Sequence, residues 1–258
     1  MTITGERVTT SAGGFNPTWQ RHVAAYELCA ELLPPGRVLD LGAGVGHSYE
    51  LLSPRESVGV DLDARALKGQ SRDTVVADMR SLPFVDDSFA SILAVHSLEH
   101  VPDPQSVVAE ASRVVEAHGV AVFVTPNRLT FARPNEIIDP YHHVEFAREE
   151  LETLCSRSFA EVDTRGIFGS ARYLELVAAE RRKLDALLAR DPFRLRRLVP
   201  RRVKQRLYDR RLTQERADAD PAAAVIESRD FRLGRGLLQE SLDLVAICRS
   251  PLTSRPAR

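Results

Sequence analysis

Apolar positions in the first two-thirds of the chain fall into short runs that alternate with helically spaced stretches. Arg37 to Leu41, Ser57 to Asp61, Thr74 to Ala77, Ser88 to Val95, Val120 to Thr125 and Ala160 to Phe168 predict strands, the fourth apolar enough to be buried on both faces. Helices are predicted from Thr18 onward, over Val45 to Leu52 and over Arg148 to Ser158. Another starts at Asp103 as N-cap with Pro104 in its first turn, and spaces Val107, Val108, Ala111, Val114 and Val115 along one face. Gly119 is its expected end, with His118 in the last turn. Alternating strands and helices imply a mostly parallel sheet covered on both sides. Pro126 to Val144 reads as one long loop, a length that favours function. Ala171 to about Arg211 reads as helical, broken at Pro192 and Pro200. Asp218 to Pro221 reads as a connector and Leu242 to Cys248 as a final strand.

The densest chemistry lies at 38–46, Val-Leu-Asp-Leu-Gly-Ala-Gly-Val-Gly. A glycine turn between strand and helix aims free N–H groups at a ligand. A dinucleotide turn would read G-x-G-x-x-G, but His47 stands at its third glycine. Asp40, two residues before the first glycine, would repel a pyrophosphate and suits a cation such as an ammonium or a sulfonium. The run resembles the first motif of the class I S-adenosylmethionine-dependent methyltransferases. Asp61 closes the second strand, Asp78 follows the third, and the fourth ends in Ala-Val-His-Ser-Leu-Glu-His-Val-Pro-Asp, which resembles the family's fourth motif. The resemblance covers about 35–168, and 242–249 in outline. It implies a doubly wound, mostly parallel seven-stranded sheet of Rossmann-like methyltransferase type, its last strand antiparallel between strands five and six. A helical insertion precedes that strand. The organisation expected is an N-terminal helical cap (1–34), a cofactor-binding α/β core (35–170), a basic helical insertion serving as acceptor lid (171–240), and a final strand with its tail (241–258).

The resemblance also implies roles. Asp40, Gly42, Ala43, Gly44 and Gly46 would face the amino-acid part of S-adenosyl-L-methionine. Asp61 would accept both ribose hydroxyls, because an ionised carboxylate offers acceptors only. Asp78 would accept from the adenine amine while the Met79 N–H meets a ring nitrogen. Leu62, Met79 and Leu98 would wall the ring, and Ala94 and His96 would offer backbone carbonyls to the ammonium. Phe15 or Trp19 would close the site, and Arg21 is a partner for the cofactor's carboxylate. Asp61 and Asp78 would serve as turn acids equally well in a site without this ligand. Methyl transfer needs a base only where the acceptor carries a proton that must leave, and His100, His142 and His143 are the candidates, His142 ahead of His143.

Composition narrows the class. The chain has 258 residues, 43% hydrophobic and 28% charged, which fits a globular protein. No run approaches a membrane span, and Met1 to Arg7 lacks the basic and apolar regions of a signal peptide. Cys29, Cys155 and Cys248 are too scattered for a zinc site or a disulfide framework and read as buried thiols in a bacterial cytoplasm. No His/Asp cluster has metal spacing, so no metal is expected. The net charge is −1, yet fifteen basic and six acidic residues fall between Arg172 and Arg216. The stretch 181–211 reads either as a solvated cationic face or as a surface for anionic membrane or a phosphorylated acceptor. Nucleic acid is disfavoured, because only Phe193 and Tyr208 would offer stacking. The expected activity is methyl transfer to a small or lipid-like acceptor, at a hydroxyl. The rivals are an NAD-dependent oxidoreductase and a regulatory module that binds the donor without turnover.

Overall fold

The computed structural model describes residues 16–131, 137–189, 199–217 and 221–252. In chain order they form α1 (Asn16–Ala30), β1 (Val38–Leu41), α2 (Ser48–Leu52), β2 (Ser57–Asp61), α3 (Ala64–Leu67), β3 (Asp73–Val76), β4 (Phe89–Val95), α4 (Pro104–Val114), β5 (Val115–Pro126), α5 (Arg128–Phe131), α6 (Arg148–Ser156), β6 (Phe159–Gly169), α7 (Ala171–Leu188), α8 (Arg201–Ala217), α9 (Pro221–Ala224), β7 (Phe231–Gly234) and β8 (Asp243–Pro251). The strands make one sheet in the order β3-β2-β1-β4-β5-β8-β6-β7. Strands β1 to β5 pair in parallel, and β8 runs antiparallel to both β5 and β6. The strand order reverses between β1 and β4, and in open α/β sheets ligands bind outside the carboxyl ends at such a point.

The sheet has eight strands rather than seven. The addition is β7, an edge strand inside the segment expected to be all helical. A second difference concerns α4, which ends at Val114 instead of Gly119. Val115 already pairs with Phe89, and the ladder is interrupted before Val120 meets Ser91, so His118 and Gly119 belong to a strand. The N-cap of α4 is as expected: Asp103 accepts from the Ser106 N–H. Val107, Val108, Ala111 and Val114 are buried beneath it. The loop after β5 contains the short α5. Ala147 cannot cap α6 through a side chain, but Glu150 Oε2 accepts from its N–H at 2.8 Å, which keeps one half of a capping box. All three cysteines are buried free thiols.

The chain divides into two compact units. The first comprises the described residues of 22–138, 142–168 and 232–258 and holds nearly all of the sheet. The second comprises the described residues of 1–21, 139–141 and 169–231. Within the second unit, Asp230 accepts from Ser170 Oγ at 2.7 Å and pairs with Arg172, whose guanidinium holds the Asp230 carboxyl well below its ordinary range. The α8 helix starts after Pro200, and its Arg201 and Tyr208 bind the Pro140 carbonyl and the Asp139 carboxylate. Pro192 and the 218–220 connector lie outside the described residues.

Candidate active site

The glycine turn after β1 is built by close approach. Gly42 has φ +77°, and a Cβ there would stand 2.5 Å from Ser97 Cβ, so the turn presses against the end of β4. Its N–H and that of Ala43 both bind the Val60 carbonyl of β2. A Cβ on Gly44, at φ +54°, would meet nothing closer than the Gly42 carbonyl at 3.9 Å, so that side is open. Its N–H is held by Asp61 Oδ2 at 3.0 Å, while Asp61 Oδ1 accepts from the Asp63 N–H at 2.8 Å. The chain runs on from this turn through Gly46 and His47 into α2, which therefore begins at Ser48, later than its apolar pattern implied.

Asp40 departs from expectation. It is fully buried, accepting from Tyr26 Oη at 2.9 Å, Ser48 Oγ at 2.6 Å and Arg72 Nη2 at 2.7 Å. Three protein donors hold the buried carboxylate, so it clamps α1, α2 and the start of β3. Asp78 is partly exposed at the end of β3 and bound by Arg80, whose hydrogen bonds hold its carboxyl below the ordinary value. Leu62 is 71% exposed beside Asp61, and Met79 Cε lies 3.6 Å from the position of a Gly42 Cβ. Leu98, by contrast, is in the core and cannot wall a ligand, and Ala94 is buried within β4. Arg21 and Trp19 lie on α1 in the second unit, and Phe15 is outside the described residues.

His96 contributes more than backbone. Its φ of +48° turns the chain sharply at the end of β4, and its N–H binds the Val124 carbonyl. Its Nε2 lies 2.9 Å from the buried Asp243 carboxylate, and its Nδ1 lies 3.3 Å from His22 Nδ1. A carboxylate accepts, so His96 donates from Nε2, while its Nδ1 and that of His22 share one hydrogen. His22 also stands against the His47 ring at 4.6 Å. Burial, with a smaller contribution from Arg72 set against Asp40, lowers the His47 imidazole to about 4. His22, His47, Tyr26, Arg72 and Asp243 gave no sign in the motifs, because their partners lie far off in sequence.

The acceptor candidates converge in part. His100 closes the short turn Leu98–His100, and its ring stands 5.0 Å from that of His142. His142 is buried, with Nδ1 at 3.0 Å from Glu145 Oε1 and Phe131 beside its other face. His143 is exposed, and its N–H donates to the Glu99 carbonyl at 2.8 Å. Glu99, absent from the expected set, is 1% exposed, accepts from Thr125 Oγ1 at 3.4 Å, and has a carboxylate oxygen within 4.8 Å of both imidazoles. All of these residues sit past the carboxyl ends of β4 and β5.

Known proteins resemble this chain in sequence and fold. The family described as Methyltransferase domain matches residues 39–123. A Mycolicibacterium smegmatis protein named as a probable S-adenosylmethionine-dependent methyltransferase is 29% identical over 263 aligned positions, covering 97% of this chain and 96% of its own. The demethylmenaquinone methyltransferase of Renibacterium salmoninarum is 29% identical over 133 positions, 49% of this chain and 54% of the relative. Among solved structures, an S-adenosylmethionine-dependent methyltransferase from Thermotoga maritima shares the fold at a TM-score of 0.61, with 16% identity over 92% of each chain.

Proposed function

This chain belongs to the class I S-adenosylmethionine-dependent methyltransferases, and we propose that it carries the methyl group to a hydroxyl of a small, lipid-like acceptor. The open side of Gly44, the carboxylate of Asp61 at the tip of β2 and the exposed Leu62 fit the donor's sugar and base. Asp61 is the acceptor for the ribose hydroxyls. Asp78, held ionised by Arg80, accepts from the adenine amine, and the N–H and side chain of Met79 take the ring. The turn 42–46 and the backbone around Ala94 and His96 receive the amino-acid end.

Bound there, S-adenosyl-L-methionine supplies an activated methyl on a sulfonium. The chain's task is then position, exclusion of water and removal of the acceptor's proton. The observation that carries the hydroxyl reading is the pairing of His100 with His142 above Glu99, at the carboxyl ends of β4 and β5. Proton-accepting groups there have a use at an oxygen that must lose its hydrogen. The named substrate of the Renibacterium relative supports a lipid-like acceptor. Peripheral contact of 181–211 with an anionic membrane surface belongs to the same reading. The test is transfer of labelled methyl from S-adenosylmethionine into a bacterial lipid extract, with the product identified by mass spectrometry. A methyl ether is expected; a methyl on carbon or nitrogen rejects the hydroxyl assignment.

A further inference from the structure

His96 carries a backbone conformation that a side chain disfavours. Its φ of +48° lies in the left-handed region, which glycine enters without strain and residues bearing a Cβ seldom do. Such a conformation persists where the surroundings over-determine it, and it clusters at functional sites. Three contacts fix this one. The His96 N–H is held by the Val124 carbonyl of β5 at 2.9 Å. Its Nε2 donates to Asp243 Oδ1 at 2.9 Å, and its Nδ1 meets His22 Nδ1 of α1 at 3.3 Å. Asp243 is fully buried and opens β8, where it pairs with Pro126 at the end of β5 and with Ile167 of β6. Its backbone is therefore fixed at the carboxyl end of β5. A carboxylate is costly to bury, and its hydrogen bond to an imidazole 147 residues earlier in the chain offsets part of that cost.

We propose that Asp243 and His22 are positioning residues: through the His96 imidazole they hold the end of β4 in the shape that receives the amino-acid end of S-adenosylmethionine. This role rests on the donor placement proposed above. Both ring nitrogens of His96 are engaged within the protein, so the imidazole braces the turn and leaves donor binding to the backbone. The brace has a path to the pocket. Ser97, the next residue, is the one the glycine turn presses on, a Cβ at Gly42 standing 2.5 Å from Ser97 Cβ. A relaxed φ at His96 would swing Ser97 and shift the wall of that turn. The ribose and purine are assigned to Asp61, Asp78 and Met79, at or past the ends of β2 and β3, so the brace acts on one end of the donor.

The test compares two ligands that share adenosine and a neutral thioether: S-adenosylhomocysteine, which has the amino-acid end, and methylthioadenosine, which lacks it. Calorimetry on the full chain reads both. Asp243→Ala should weaken S-adenosylhomocysteine by about 10-fold, the size of one hydrogen bond to a charged group, and leave methylthioadenosine within about 2-fold of wild type. Asp243→Asn keeps an acceptor for the Nε2–H and should restore most of the affinity. His96→Gly takes the same φ without the imidazole. It should cost about as much as Asp243→Ala, and combining the two should cost nothing further. Losses that multiply place the action of Asp243 elsewhere, and equal losses for both ligands mark a general disturbance of the fold; either overturns the brace. Should Asp243→Ala fail to fold, His22→Leu reads the other arm, with a loss of about 5-fold confined to S-adenosylhomocysteine. Unchanged S-adenosylhomocysteine affinity in the folded variants also overturns the brace and leaves the donor site standing. Wild type that binds neither ligand removes the donor site itself, and the brace with it.

Discussion

At the scale of single residues, buried and half-buried charges decide what each acid does. Asp61 offers its carboxylate to two backbone N–H groups yet remains at the surface, the condition for meeting a ligand as well. Asp61→Ala should weaken S-adenosylmethionine binding by about 1.5–3 kcal/mol, the range for hydrogen bonds to a charged group. Calorimetry checks this, and unchanged affinity rejects the role. His47 makes a different prediction. Burial holds its imidazole at about 4 against an ordinary 6.5, so the folded state binds its proton less readily than the unfolded chain. The stability this reflects is fully present above pH 6.5, declines as pH falls, and is gone near pH 4. The shift amounts to about 3 kcal/mol at most. Denaturant midpoints of wild type should fall through that window, and His47→Phe should flatten the dependence. An unaltered slope in the variant would remove His47 as its source.

At the scale of elements, Asp40 and Arg72 are an internal rivet. Both side chains are almost wholly buried, and through Tyr26 and Ser48 they join α1, β1, α2 and the start of β3. Arg72→Leu leaves a buried carboxylate without its cation and should destabilise the protein by about 3–5 kcal/mol. The double variant Asp40→Leu/Arg72→Leu should lose less than the single one, since no charge is then stranded; chemical denaturation reads both. A single variant as stable as wild type would show the pair to be unimportant. The same elements explain what could be read from sequence. The apolar runs of β1, β2 and β4 announce themselves because strands buried on both faces tolerate little else. Asp103 and Pro104 mark the start of α4 by local chemistry alone. The end of α4 was misplaced because its last apolar residues suit helix and strand equally, and pairing of Val115 with Phe89 decided between them. The four residues of β7 have strand character only beside a neighbour. Asp40 looked like a ligand contact because its partner Arg72, thirty-two residues on, carries no motif. The His22–His96–Asp243 chain and the Glu99–His100–His142 group are products of tertiary proximity, which spacing rules cannot express.

At the scale of the whole molecule, charge is segregated along the chain. The stretch Arg172 to Arg216 carries fifteen of the 35 basic residues, although the net charge is only −1. Within it, α8 places Arg202, Arg206 and Arg210 four residues apart on one exposed stripe. Beside them, Val203 and Leu207 are 43% and 57% exposed. Cations flanking solvent-facing apolar groups are what a helix needs to lie at an anionic lipid interface, and no described helix is long and apolar enough to cross the bilayer. A lipid-like acceptor dissolved in that bilayer would make such contact useful. Each Arg near an anionic surface is worth about 1 kcal/mol, so replacing these three with Gln should reduce binding by about 3 kcal/mol at low salt. Co-sedimentation with phosphatidylserine-containing vesicles measures it. Wild type should bind them, release as salt rises, and ignore vesicles of phosphatidylcholine alone. A purely solvated cationic face would give equal, negligible sedimentation with both, and binding to neutral vesicles that salt does not disturb would assign the contact to Val203 and Leu207 instead of the arginines.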